Sequence, residues 1–163
     1  MTAETDDALM ARALDAADRG AAAGEAPFGC ALRLVDGARV EAHNRVGVTG
    51  DPSAHAELEA LRRAAGQAAG PDAAVDAVAA CTGEPCPMCA SALLWAGVRR
   101  IVWAVSIEEL AALGVAQQRL PSAELVERLG AGVALRGGVA REAAWRRFAR
   151  WCAGRPLGAG GSG

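Results

Sequence analysis

The sequence predicts an α/β protein, a three-layer α/β/α sandwich around a central mixed five-stranded sheet that opens with a β-hairpin. Three observations carry this expectation. Two short apolar runs are joined by Asp36-Gly37, a hairpin signal because both residues tolerate positive φ. Beyond them, segments with apolar residues at three- and four-residue spacing alternate with short apolar runs, as strands covered by helices on both faces would. The 163 residues, 52% hydrophobic and 22% charged, suffice for one continuous core and exclude a mostly disordered chain.

Taken in order, Asp6 to Arg19 places Leu9, Met10, Ala13, Leu14 and Ala17 on one helical stripe, and Gly20 supplies a stop. Gly24-Glu25-Ala26-Pro27 reads as a loop. Phe28 to Val35 and Arg39 to Val46 form the hairpin. Asp51-Pro52 looks like a helix start, with Asp51 as N-cap and Pro52 at the first helical position, and the helix runs to Ala69. Ala74 to Cys81 is the third strand, Pro85 to Ala96 a helix and Arg100 to Val105 the fourth strand. Ser106 and Glu109 have capping-box spacing for a helix over Ile107 to Leu113. Ser122 to Leu129 is a further helix, Gly132 to Leu135 the fifth strand and Val139 to Cys152 the last helix. Residues 1–153 are expected to form one domain, and the Gly-rich stretch 154–163 is read as a flexible tail outside the fold.

A net charge of -2 argues against a dedicated nucleic-acid surface and favours small-molecule chemistry. No apolar run approaches the ~20 residues a membrane helix requires. Met1 to Asp7 carries acids where a secretory signal would be basic, so the expected location is cytoplasmic. There are five Cys, and Cys86 and Cys89 form a CxxC. In a reducing compartment that spacing points to metal or redox chemistry before a structural disulfide.

Metal-capable side chains concentrate in His55-Ala56-Glu57 and Pro85-Cys86-Pro87-Met88-Cys89, each at a predicted helix start. Cys86 and Cys89, three residues apart, stand about 60° apart on one helix face and can share an ion. His55 and Glu57 lie roughly 200° apart around a helix axis, so they converge only on something beyond its end. One zinc ion between two helix N-termini satisfies both constraints, with His55, Cys86 and Cys89 as ligands and a water in the fourth position. Three protein ligands plus water is the pattern of a catalytic site rather than a closed structural one, and Glu57 is left to take the proton of the water. The H-x-E and P-C-x-x-C pair is the signature of the zinc deaminases.

Pro27-Phe28-Gly29, Asn44, Asp51-Pro52-Ser53-Ala54-His55-Ala56-Glu57 and Glu84-Pro85-Cys86-Pro87-Met88-Cys89 together resemble the cytidine-deaminase-like superfamily. Within it, the residues are most similar to the guanine deaminase and tRNA adenosine deaminase branch. The resemblance runs from Phe28 to Val105. It implies hydrolytic removal of an amino group from a nucleobase or nucleoside, with Glu57 shuttling the proton and a guanine-like purine favoured. It further implies that Asn44 bonds the polar edge of the base, that Phe28 stacks on it and that the Ala56 N–H meets a ring carbonyl. Trp95, in Ala92-Leu93-Leu94-Trp95-Ala96, matches a guanine-deaminase tryptophan that walls the base pocket. In that family the last helix and tail can cross to a partner, which implies a homodimer. One departure is Val115-Ala116-Gln117 where guanine deaminases carry Phe-Asp-Asp; Gln117 offers a carbonyl acceptor without the charge.

Other readings stay open at this point. A tRNA adenosine deaminase, a cytosine, cytidine or aminotriazine deaminase, and a zinc scaffold that has lost catalysis share the same motif. A thioredoxin-like dithiol would not need His55 and Glu57. Cys30, Cys81 and Cys152 read as small hydrophobes. Trp145, Phe148, Trp151 and Cys152 read as a core or dimer face of the last helix.

Overall fold

The computed structural model describes residues 5–68 and 70–154. Its five-stranded sheet has the order β2-β1-β3-β4-β5. β1 (Gly29–Arg33) pairs antiparallel with β2 (Arg39–His43) on one side and with β3 (Val78–Gly83) on the other. β3 pairs parallel with β4 (Arg100–Val105), and β4 with β5 (Ala134–Arg136), so the sheet is mixed as expected. Helix α1 (Asp6–Ala22) lies across β1 to β4, and α7 (Arg141–Ala153) covers β4 beside it, tied to α1 by Arg147 and Asp18 at 2.6 Å. α3 (Ala56–Ala68) and α4 (Pro87–Trp95) pack together over the other face, with α6 (Ser122–Leu129) against α4. The short α2 (Val46–Thr49) and α5 (Ile107–Ala112) follow β2 and β4.

The differences from the sequence expectation have local causes. Gly20 does not stop α1, which continues to Ala22. It is small because His43 packs on it: a Cβ there would stand 2.9 Å from the His43 Cβ. Gly29 is likewise required by close approach, since a Cβ would lie 2.1 Å from the Ala13 carbonyl oxygen of α1. The hairpin loop is three residues, Val35-Asp36-Gly37, rather than two. Leu34 N–H donates to Ala38 O at 2.9 Å, and Gly37 takes the positive φ that such a loop needs.

Asp51-Pro52 opens a turn and not a helix. The Asp51 carboxylate accepts from the Ser53 N–H at 2.8 Å and the Ser53 hydroxyl at 2.7 Å, and Ala54 N–H bonds Asp51 O at 3.0 Å. The helix therefore begins at Ala56. The third strand begins at Val78, not Ala74; residues 71–74 form a 3-10 turn, and Asp76 stands at φ 58° before the strand starts. β2 ends at His43 rather than Val46, and the one-turn α2 begins at Val46, the last residue expected in the strand. The Gly-rich tail from Arg155 lies outside the described residues. Among the described residues no helix is long and apolar enough to cross a membrane.

Asp6 fastens the first turn of α1 to the parallel edge of the sheet. Its carboxylate accepts from Arg100 Nε at 3.1 Å and Arg136 Nη1 at 2.7 Å, which hold its pKa below the usual carboxylate range. A depressed carboxylate pKa stabilises the fold above the unfolded value and loses that contribution as pH falls through the folded one. Asp6→Asn is expected to cost about 1 kcal/mol near neutral pH, kept small by the half-exposed arginine heads. Urea unfolding of both proteins should show the difference vanish as pH drops below the carboxylate range.

Candidate metal centre and active site

The site forms where two helix N-termini meet. His55 is the N-cap of α3, its carbonyl accepting from Glu59 N–H at 2.9 Å, and Cys86 is the N-cap of α4, its carbonyl accepting from Ala90 N–H at 2.8 Å. Pro87 at the first position of α4 needs no N–H partner, and Cys89 follows in the same turn. The His55 Nδ1 stands 3.6 Å from Cys86 Sγ and 3.5 Å from Cys89 Sγ. The ligand atoms of the three residues lie within 4.8 Å of one another.

These separations fit zinc. Bonds of about 2.3 Å to sulfur and about 2.0–2.1 Å to nitrogen at a tetrahedral angle require S···N distances of about 3.5–3.6 Å. Both observed distances match, and the two thiolates with one imidazole are a donor set zinc favours. Cys30 and Cys81 are paired across β1 and β3 with sulfurs 3.9 Å apart, fully buried, and act as core residues outside the ligand group. Cys152 is half-buried.

The electrostatics favour thiolate at the first of the two cysteines. Hydrogen bonding from Cys89, with further help from His55, brings the Cys86 thiol down to about 4. The bond with Cys86 pushes Cys89 up, burial adding to it. Glu57, on the first turn of α3, is 5% exposed, and burial raises its carboxyl above the ordinary value, the Cys86 charge adding to this. A carboxyl tuned upward in this way suits proton exchange near neutral pH.

The expected substrate contacts fall into two groups. Asn44, 2% exposed, directly follows β2, and the next N–H, of Arg45, bonds the Ala54 carbonyl ahead of His55 at 2.9 Å. Its Nδ2 donates to Glu25 Oε2 at 2.8 Å, and its Oδ1 is buried without a partner among the described residues. The same holds for Gln117 Oε1, in the segment between α5 and α6. Ala56 stands at the first position of α3, where a backbone N–H has no intrahelical acceptor. Phe28 and Trp95 form the second group. Phe28 is 6% exposed, edge-to-face on Phe148 with centroids 4.8 Å apart, and its ring lies against Gly83. Trp95 closes the far end of α4 from the cysteines and is 91% exposed, neither core nor a wall of the site within one chain.

Two buried acids escaped sequence reasoning as supports of the site. Glu84 accepts from Ile107 N–H at 2.9 Å and Ser122 N–H at 2.7 Å, so one carboxylate between β3 and Cys86 pins both ends of the segment that carries Gln117. Ser122 adds a hydroxyl bond to Pro85 O at 3.1 Å. Glu25 holds Asn44 and the start of α2. An acid in a short loop or before a Pro-Cys gives no periodicity from which burial is read.

Loss of any one ligand should empty the centre. His55→Ala, Cys86→Ser and Cys89→Ser proteins are expected to hold well under one zinc per chain by elemental analysis, whereas Cys30→Ala and Cys81→Ala retain it. Full occupancy in Cys86→Ser with loss in Cys81→Ala would reassign the ligands.

Comparison with known proteins agrees with this geometry. Residues 3–105 match the family model of the cytidine and deoxycytidylate deaminase zinc-binding region. The chain is 39% identical over 114 residues to the tRNA-specific adenosine deaminase of Haemophilus influenzae, covering 68% of this chain and 64% of that protein. It is 34% identical over 110 residues to the guanine deaminase of Bacillus subtilis, covering 66% of this chain and 69% of that one. A solved guanine deaminase from Nitrosomonas europaea superposes with a TM-score of 0.82 at 26% identity, over 94% of this chain and 87% of its own. With a matching ligand set, sheet and sequence region, the chain belongs to the cytidine and deoxycytidylate deaminase zinc-binding family.

Proposed function

We propose that the chain is a hydrolytic deaminase of a free purine-type base, guanine-like, that releases the exocyclic amino group as ammonia. The observation that carries this beyond the family is a pair of buried carbonyl oxygens, Asn44 Oδ1 and Gln117 Oε1, that lack partners among the described residues. Unpaired buried acceptors are costly in a fold and are explained when a ligand's N–H groups complete them. With the N–H at Ala56 as a donor, the set suits a base that carries ring N–H groups and a ring carbonyl, as guanine does. Adenine has no ring carbonyl for Ala56.

Zinc held by His55, Cys86 and Cys89 supplies Lewis-acid activation of water at near-neutral pH. The chain's own residues orient the base and move protons. Glu57 accepts a proton from the attacking water and passes it to the ring nitrogen beside the carbon that bears the amino group. Glu57 then takes the second proton from the hydroxyl now on that carbon and delivers it to the amino nitrogen, which leaves as ammonia as the carbonyl forms. One C–O bond forms, one C–N bond breaks, and water and base become ammonia and the oxo base.

The sequence match to a tRNA-specific adenosine deaminase supports a second reading, action on an anticodon stem-loop. Surface charge weighs against it. Three of the four arginines of α7 are paired, Arg146 with Glu142, Arg147 with Asp18 and Arg141 with Glu109, which reduces the charge it offers to phosphate. A homodimer forms part of the proposal. α4 contains no charged residue and exposes Met88, 36%, and Trp95, 91%, an apolar face that a second copy would cover. Trp95 would then reach a base pocket only across that interface.

Ammonia release measured over guanine, guanosine, adenine, cytosine, cytosine nucleosides, aminotriazines and an anticodon stem-loop should be fastest with guanine. Release from the stem-loop alone, quenched by salt, would overturn the choice. Glu57→Gln should keep one zinc per chain and lose turnover by roughly 10²–10⁴-fold; a near-normal rate would remove Glu57 from the mechanism. Light scattering should give two chains per particle for the parent protein and one for Trp95→Glu.

A further inference from the structure

Glu25 lies outside the zinc ligands and the proton path, yet it is a buried carboxylate, 5% exposed, on the loop between α1 and β1. Three N–H donors converge on it: Asn44 Nδ2 at 2.8 Å, Gly47 N at 3.0 Å and Val48 N at 2.7 Å. A carboxylate only accepts, so the amide of Asn44 must turn its nitrogen to Glu25. Its oxygen is therefore committed to the other direction, where it is buried without a partner among the described residues. The α2 backbone comes close enough that a Cβ at Gly47 would stand 3.1 Å from Glu25 Oε1. Both neighbours of the amide are thus fixed, and the side chain has no alternative orientation of equal energy.

We infer that Glu25 is a positioning residue for base recognition: by holding the Asn44 amide nitrogen, it presents the Asn44 oxygen to the site as an obligate acceptor and selects bases that offer a ring N–H there. This rests on the proposed deaminase function, and it adds a specificity determinant that does not touch the base. Glutamine can still place its oxygen where Oε2 serves both Asn44 and Gly47, whereas replacement by leucine keeps most of the bulk and removes the acceptor, so Asn44 is free to rotate about its amide. The base then meets an N–H where it needs an oxygen, and a misdirected polar group in a buried site lowers kcat/KM by roughly 10–100-fold.

Two measurements on the full chain test this. In ¹⁵N-labelled protein the two Asn44 side-chain amide protons, assigned with Asn44→Ala, should be widely separated and one strongly protected from exchange; Glu25→Leu should collapse the separation and the protection. An amide signal unchanged in Glu25→Leu overturns the inference whatever the substrate. In a double-mutant cycle, Glu25→Leu should lower kcat/KM for guanine by 10-fold or more in the parent and leave Asn44→Ala unaffected. Discrimination among N1-, N7- and N9-methylguanine should shrink in Glu25→Leu while zinc content stays at one per chain. Multiplicative losses in the cycle, or unaltered discrimination, would reduce Glu25 to a structural cap of α2. If the parent releases ammonia from no base, the functional reading fails, while the amide signal still decides whether Glu25 sets the orientation of Asn44.

Discussion

The structure depends on two helix N-caps being brought to one point. His55 caps α3 and Cys86 caps α4, and their side chains, with Cys89, meet at 3.5 and 3.6 Å. Each N-cap must have extended backbone while its carbonyl already serves the helix, so its side chain projects off the helix end rather than from its flank. This is how residues from two helices that pack side by side reach a common ion. The sheet enforces it: β3 ends at Gly83 and hands the chain directly to Glu84-Pro85-Cys86. The turn from Asp51 to His55, held by the Asp51 carboxylate, sets the other approach.

Around that meeting point buried carboxylates do different work according to what they face. Glu57 faces thiols, and its burial raises its pKa, which suits proton transfer. Glu84 faces two backbone N–H groups and ties the segment between α5 and α6 to the metal loop. Glu25 faces an amide and two backbone N–H groups and fixes an acceptor. Unpaired, each would be costly; paired with N–H donors, Glu25 and Glu84 stiffen the two segments that carry the unpartnered Asn44 and Gln117 oxygens.

The ligand set was legible in the sequence because zinc chemistry restricts both residue type and spacing, and two short motifs meet that restriction together. The five strands and the long helices were legible from periodicity, with β4, α6 and the Ser106–Glu109 capping box found where expected. What was not legible follows from interactions between distant segments. Gly20 looks like a stop until His43 is seen against it, and Asp51-Pro52 looks like a cap until Ser53 takes the carboxylate. The alanine-rich stretch before β3 has too little contrast in side-chain size to mark where the strand begins. The edge-to-face contact of Phe28 with Phe148, more than a hundred residues later, has no signal in the local sequence either.

X-ray absorption at the zinc edge reads directly whether the centre is open, with two sulfurs and one imidazole. Two sulfur scatterers at about 2.3 Å and two lighter ones at about 2.0–2.1 Å are expected, the second being a non-protein oxygen beside His55. A third sulfur in the shell would bring Cys81 or Cys30 into the centre, close it against water and rule out an open site.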